Sequence, residues 1–112
     1  MIAVFDLNWT ASEKKIARRA FQTALDRELA ALIEESKKRM NQVSTPEELW
    51  DFEQWLSERR KEIDKTYDFR YSILPVVFAN LLHRRTLSEV ELAGLSSEKI
   101  DLIQRGFGLH NG

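Results

Sequence analysis

Apolar positions in the first third of the chain repeat with the period of a helix. Ile16, Ala20, Phe21, Ala24, Leu25, Leu29, Leu32 and Ile33 share one face when each residue advances by about 100°. Thr10, with Glu13 three residues later, marks the start, because each side chain can satisfy the other residue's free N–H. No breaker follows until Thr45-Pro46. The pattern predicts one helix over 11–42, roughly 48 Å long at about 1.5 Å per residue. A compact chain of this size has a radius of gyration of about 13 Å. The helix should therefore overhang any compact monomer, so the molecule is either elongated or covered there by a second copy.

Thr45-Pro46-Glu47-Glu48 combines an N-cap, a proline in the first turn and a capping-box glutamate, and opens a second helix. Leu49, Phe52, Leu56, Ile63 and Tyr67 form its core stripe, with Trp55 at the edge. Trp50, Glu53, Gln54, Ser57 and Arg60 lie on the adjacent flank. A third helix is predicted over 68–84, capped by Asp68 unless it simply continues the second. Tyr71, Leu74, Phe78, Leu81 and Leu82 make a broad apolar face. Pro75 should bend this helix or delay its start, and His83-Arg84-Arg85 suits the negative end of its dipole. Thr86 and Glu89 read as a capping box for a short helix ending at Gly94. Ser96 or Ser97 caps a last short helix through Gln104, stopped by Gly106. Segments 1–9 and 106–112 are expected to be flexible. Neither internal repeats nor unbroken heptads appear.

Composition narrows the class. With 112 residues, 43% hydrophobic and 31% charged, the chain makes a single globular domain. The expectation is an all-α fold: an elongated antiparallel helical domain with one long N-terminal helix, two further main helices and short C-terminal helices, dimerising through helix packing. The start MIAVFDLNW lacks a basic region, and Asp6 interrupts its apolar run, so it does not read as a signal peptide. No stretch approaches the roughly 20 apolar residues of a membrane span. The expected location is the cytoplasm.

Catalytic chemistry finds no footing. The chain has no cysteine, and its histidines are His83 and His110, neither at metal-ligand spacing from another ligand. There is no glycine-rich phosphate loop and no serine with a plausible histidine partner. Asp64 and Asp68 share a helical face but read as solvated charges near a helix end. No enzymatic role, cofactor or metal is expected. A net charge of -1 gives no global attraction to nucleic acid. The basic clusters Lys37-Lys38-Arg39, Arg59-Arg60-Lys61 and His83-Arg84-Arg85 are each diluted by nearby acids, so nucleic-acid binding is not expected.

Trp50 stands apart, because a tryptophan on a polar flank is an unusual exposure and a favoured interface anchor. Either it packs under the first helix of its own subunit, or it anchors an interface. Arg60, about three turns further along the same flank, is the other favoured interface type. Glu53, Gln54 and, on the third helix, Phe78 complete the candidate partner or dimer interface.

An ordered set of residues adds to this reading: Leu49-Trp50, Leu56-Ser57 with Arg60, Glu62-Ile63-Asp64, Tyr67-Asp68 with Arg70 and Ser72, Phe78-Ala79 and Leu81-Leu82, preceded by Trp9-Thr10 and Arg27-Glu28-Leu29. This set resembles the fluorescence recovery protein family of cyanobacteria and its relatives in other bacteria. The resemblance implies an all-helical homodimer that is not an enzyme. In photosynthetic members it implies a protein that binds the light-activated orange carotenoid protein, speeds its return to the resting state and helps free it from the phycobilisome. The family's working patch has a Trp, a His-Asp pair three and four residues later, and an Arg ten residues after the Trp. Here the Trp is Trp50 and the Arg is Arg60, while Glu53 and Gln54 replace the pair. The resemblance thus implies a protein partner, orange carotenoid protein where the organism has one, met through a flank of altered charge.

Overall fold

The computed structural model describes residues 7–111, with side chains through residue 106. Helix α1 spans Ala11–Asn41, and the Thr10–Glu13 capping box closes in both directions. Helix α2 spans Pro46–Thr66 behind the matching box of Thr45 and Glu48. Helix α3 spans Leu74–His83, a 3-10 turn spans Glu89–Leu92, and helix α4 spans Ser97–Asn111. All regular elements among the described residues are helical, as the sequence pattern predicts.

The protein divides into a head and an arm. In the head, the N-terminal half of α1 lies against α3, the 3-10 turn and α4. Ala17, Ala20 and Ala24 are fully covered and form the α1 side of this core. Their small side chains let the helix backbone approach the bulky layer of Leu74, Phe78, Leu81, Leu92 and Ile103. Trp9 is buried beside Tyr71, with ring centroids 5.4 Å apart. The Glu13 carboxylate also accepts from the Ser96 N–H and from Lys99, both partners of this ion pair being nearly fully buried. The backbone N–H of Thr10, then that of Ser96 and the side-chain ammonium of Lys99, hold the Glu13 carboxyl down to about 2 against the opposing effect of burial. One charge pair thus ties the start of α1 to the start of α4.

The arm is the rest of α1 paired with α2. The molecule measures 53 × 27 × 24 Å, with a radius of gyration of 16.8 Å. That exceeds the roughly 13 Å of a compact chain of equal length, so the predicted overhang is present.

Four sequence expectations are corrected. The third helix begins at Leu74, not Asp68, with Pro75 in its first turn, where a missing N–H does no harm. Asp68 is taken up by Arg70 at 2.6 Å instead of capping. Segment 67–73 is a connector whose rings pack on α1: Phe69 meets Phe21 at 5.0 Å and Tyr71 at 5.3 Å. The short turn after α3 is closed by Ser88 and Glu91, not Thr86 and Glu89: the Glu91 carboxylate accepts the Ser88 N–H at 3.0 Å. The core stripe of α2 is only half covered: Phe52, Leu56 and Tyr67 are half-buried, Leu49 is exposed, and Ile63 alone is buried. Helix α4 continues past Gln104 and through Gly106. Ser96 is its cap, accepting from the Lys99 N–H. The expected flexibility of 1–6 and 112 lies outside the described residues.

Gly106 is therefore a packing glycine. A Cβ placed there would sit 2.8 Å from the Ala79 Cβ, so α3 and α4 touch through hydrogen. Gly106→Ala should destabilise the protein by about 1–3 kcal/mol through overpacking, despite a helix-propensity gain of about 1 kcal/mol. Urea unfolding followed by far-UV circular dichroism checks this; a residue that merely stopped a helix would show stabilisation instead.

Candidate functional site

Helices α1 and α2 are held together at the ends of the arm and gapped between. At the tip, the Arg39 guanidinium stacks 4.1 Å over the Trp55 ring, and Trp55 meets Phe52 at 5.7 Å. Along the middle runs an open groove of about 600 Å³. Leu25, Leu29, Leu32, Leu56 and Ile63 form its apolar floor, and Glu53, Ser57, Arg60 and Asp64 its polar lip. A second groove of about 420 Å³ continues the surface over Ile33 and Met40.

The structure brings some of the sequence candidates together and separates others. Trp50 is 64% exposed, so it does not pack under α1 of its own chain. Glu53 and Arg60 share the groove lip, and Glu53 accepts from the Ser57 hydroxyl at 2.8 Å. No carboxylate lies within ion-pairing distance of Arg60 among the described residues. The Gln54 amide reaches along α2 to Glu58 at 3.4 Å, and Gln54 does not line the groove. Phe78 is corrected: it is fully buried in the head core and offers no surface to a partner. The C-terminal half of α1, with Leu25, Leu29 and Leu32, is the part of the site that the candidate residues left out. Its signal was the apolar stripe running on for two turns beyond Ala24.

Two further side chains of α1, Arg27 and Glu28, tie it to the rest of the chain. Arg27 grips Glu91 with two parallel bonds of 2.7 and 2.8 Å and donates to the Thr86 carbonyl. This Arg27 contact, with the Ser88 N–H, holds the Glu91 carboxyl at about 2. Glu28 meets Arg59, Tyr67 and Arg84 at the base of the arm. Burial, then the nearby Glu28 charge, pushes the Tyr67 phenol up. Among the described residues no group of three or more His, Cys, Asp or Glu side chains could hold a metal ion. No described helix is long and apolar enough to cross a membrane. The groove offers an apolar surface whose one lining cation, Arg60, has no ion pair among the described residues, which suits binding.

Residues 9–105 match the family model described as photoprotection regulator fluorescence recovery protein. The chain belongs to the fluorescence recovery protein family. It is 32% identical over 99 residues to the fluorescence recovery protein of Synechocystis sp. (strain ATCC 27184 / PCC 6803 / Kazusa), covering 88% of this chain and 91% of that one. The fold is similar to the solved fluorescence recovery protein of Fremyella diplosiphon, with a TM-score of 0.85 and 38% identity over 90% of this chain and 99% of the other. The solved Synechocystis sp. PCC 6803 protein superposes equally well, with a TM-score of 0.85 at 32% identity, again over 90% of this chain and 99% of the other. The family is one of photoprotection regulators, and the likeness covers head and arm alike.

Exposure of Trp50 sets a clear expectation for the isolated chain. Trp50→Ala should leave far-UV helicity unchanged and shift unfolding stability by no more than about 0.5 kcal/mol, as for other surface substitutions. Chain concentration must be low enough to keep copies apart in this urea titration. A larger loss would mean that Trp50 supports its own subunit.

Proposed function

We propose that this chain is a non-enzymatic, dimeric regulator that binds a partner protein through the arm, with Trp50 and Arg60 as the anchoring pair. The observation that carries this reading is the concentration of exposed apolar side chains on the arm. Leu29, Ile33, Met40, Leu49 and Trp50 lie there, each between 38% and 64% exposed, while the head shows only Val76 and Val90 among the described residues. Contiguous apolar surface of this kind marks an interaction site. A second copy supplies the matching shape, because the arm of one chain presents the long apolar strip that the arm of another lacks a cover for. Arg60, unpaired at the groove lip, then gains a carboxylate partner across the interface or on the bound protein.

Membership of a photoprotection-regulator family supports a second reading, in which the partner is the orange carotenoid protein and the chain accelerates its return to the resting state. A regulator of this kind acts by preferring one conformation of its target. Glu53 and Gln54 bear directly on this. Where the family's patch carries a His and an Asp, this flank presents an acid and a neutral amide, and docking surfaces are selective for charge pattern. The partner of this chain is therefore one whose surface tolerates an acid beside the Trp–Arg pair.

Light scattering at micromolar concentration should give a mass near twice the 13.1 kDa of the chain. Trp50→Ala should weaken association, since truncating an interface anchor costs about 2 kcal/mol or more; a monomeric native chain would remove the dimer from the proposal. The charge argument is tested by the dark recovery rate of photoactivated orange carotenoid protein. The unmodified chain should accelerate it weakly, and Glu53→His with Gln54→Asp should raise the rate. Strong acceleration by the unmodified chain would favour the second reading.

A further inference from the structure

We propose that Glu28 is the positioning residue that sets where α2 lies against the head, and with it the width of the groove beside Arg60. Helix α2 needs such a device. It buries one residue, Ile63, and an open groove of about 600 Å³ separates much of its length from α1. Packing alone does not fix its place. At the tip it is held by the Arg39–Trp55 stack, and at the base most of its polar contacts converge on one carboxylate, beside the packing of Tyr67 on Phe21.

That carboxylate is saturated. Each Glu28 oxygen has two donors within reach: for Oε1, Arg84 at 3.1 Å and the Tyr67 hydroxyl at 3.0 Å, whose one proton the Ala24 carbonyl shares at 3.2 Å; for Oε2, Arg84 at 3.0 Å and Arg59 at 3.3 Å. These are the four acceptor positions an ionised carboxylate has. The donors come from three places: Arg59 on α2, Tyr67 just after it, and Arg84 at the C-terminal cap of α3. Arg84 also donates to Thr66, the last residue of α2. The Glu28 side chain is only 10% exposed, so water competes weakly with these bonds and each contributes more than a surface pair would. Arg59 directly precedes Arg60. The roll of α2 that Glu28 sets through Arg59 therefore also decides where Arg60 stands on the lip.

Glutamine is the informative replacement. It keeps the size of the side chain but offers one acceptor oxygen and an NH₂ group. That NH₂ would face guanidinium N–H groups, donor against donor, at the point where α2 meets α3. The base of the arm should then open while α1 stays seated on the head through Ala17, Ala20 and Ala24.

The functional consequence rests on the arm being the partner-facing surface, but the joint itself is measured without any partner. The chain has no cysteine, so Lys61→Cys on α2 and Glu98→Cys on α4 take spin labels cleanly; both sites are exposed and neither touches Glu28. Double electron–electron resonance, with labelled chains diluted into unlabelled ones, reads the distance between α2 and the head. The expected result is one narrow distribution with Glu28, broadened and shifted in Glu28→Gln at unchanged far-UV helicity. An unchanged distribution overturns the proposal, even if stability falls, because Glu28 would then contribute stability alone. If Glu28→Gln loses helicity, Arg84→Gln is measured instead. It removes the α3 side of the joint and leaves Arg59 and Tyr67 on Glu28; no broadening there overturns the proposal equally. Failure of the partner-surface reading would appear separately, as a monomeric mass by light scattering.

Discussion

Helix α1 is longer than the core available to cover it, and the rest of the architecture follows from that mismatch. Its 31 residues extend over about 47 Å, while the head built from α3, the 3-10 turn and α4 covers only the first half. The change is written in side-chain size. Ala17, Ala20 and Ala24 face the head, where small residues allow close backbone approach. Beyond them come Leu25, Leu29, Leu32 and Ile33, large side chains with little of their own chain to touch. Burying them requires material from elsewhere, which is why an apolar strip is left on the arm.

Charge does the work of attachment where apolar packing is thin. Glu13 and Lys99 join the start of α1 to α4 inside the head, with every oxygen of the carboxylate occupied. Arg27, Glu28 and Leu29 then point in three directions along one helical turn: to the 3-10 turn, to the base of α2 and into the groove. Buried ion pairs add less to net stability than well-packed apolar groups would, but breaking one partner is costly. They suit a molecule that must hold a long, half-covered hairpin in one orientation.

The groove surface is an apolar floor with a polar lip. It has no group poised for proton or acyl transfer among the described residues, and its one conspicuous cation, Arg60, has no carboxylate to pair with. A protein that regulates another by binding can change only the balance or the rate between states it contacts differently. Position matters more than chemistry in such a site. Trp50, Glu53 and Arg60 all stand on α2, so the angle at which α2 lies against α1 decides how they are presented.

Much of the helical framework was legible in the residues, because capping chemistry is local. Thr10 with Glu13, and Thr45 with Glu48, lie three residues apart and meet wherever a helix begins, so the starts of α1 and α2 could be read directly. The length of α1, the overhang and the flank carrying Trp50 and Arg60 followed from periodicity alone. The ordered residue set likewise pointed to the family. Tertiary structure decided what depends on neighbours distant in sequence. Asp68 looked like a cap but found Arg70 closer, and its connector was drawn onto α1 by Phe69 and Tyr71. Gly106 looked like a stop but sits where α3 and α4 press together, a contact between residues 27 positions apart. Phe78 and Trp50 are both aromatic residues on amphipathic helices; one is fully buried and the other exposed, because α4 covers α3 while α1 leaves the Trp50 flank of α2 uncovered. Periodicity says which face of a helix is apolar, and only the packing of whole elements says which apolar face is left uncovered.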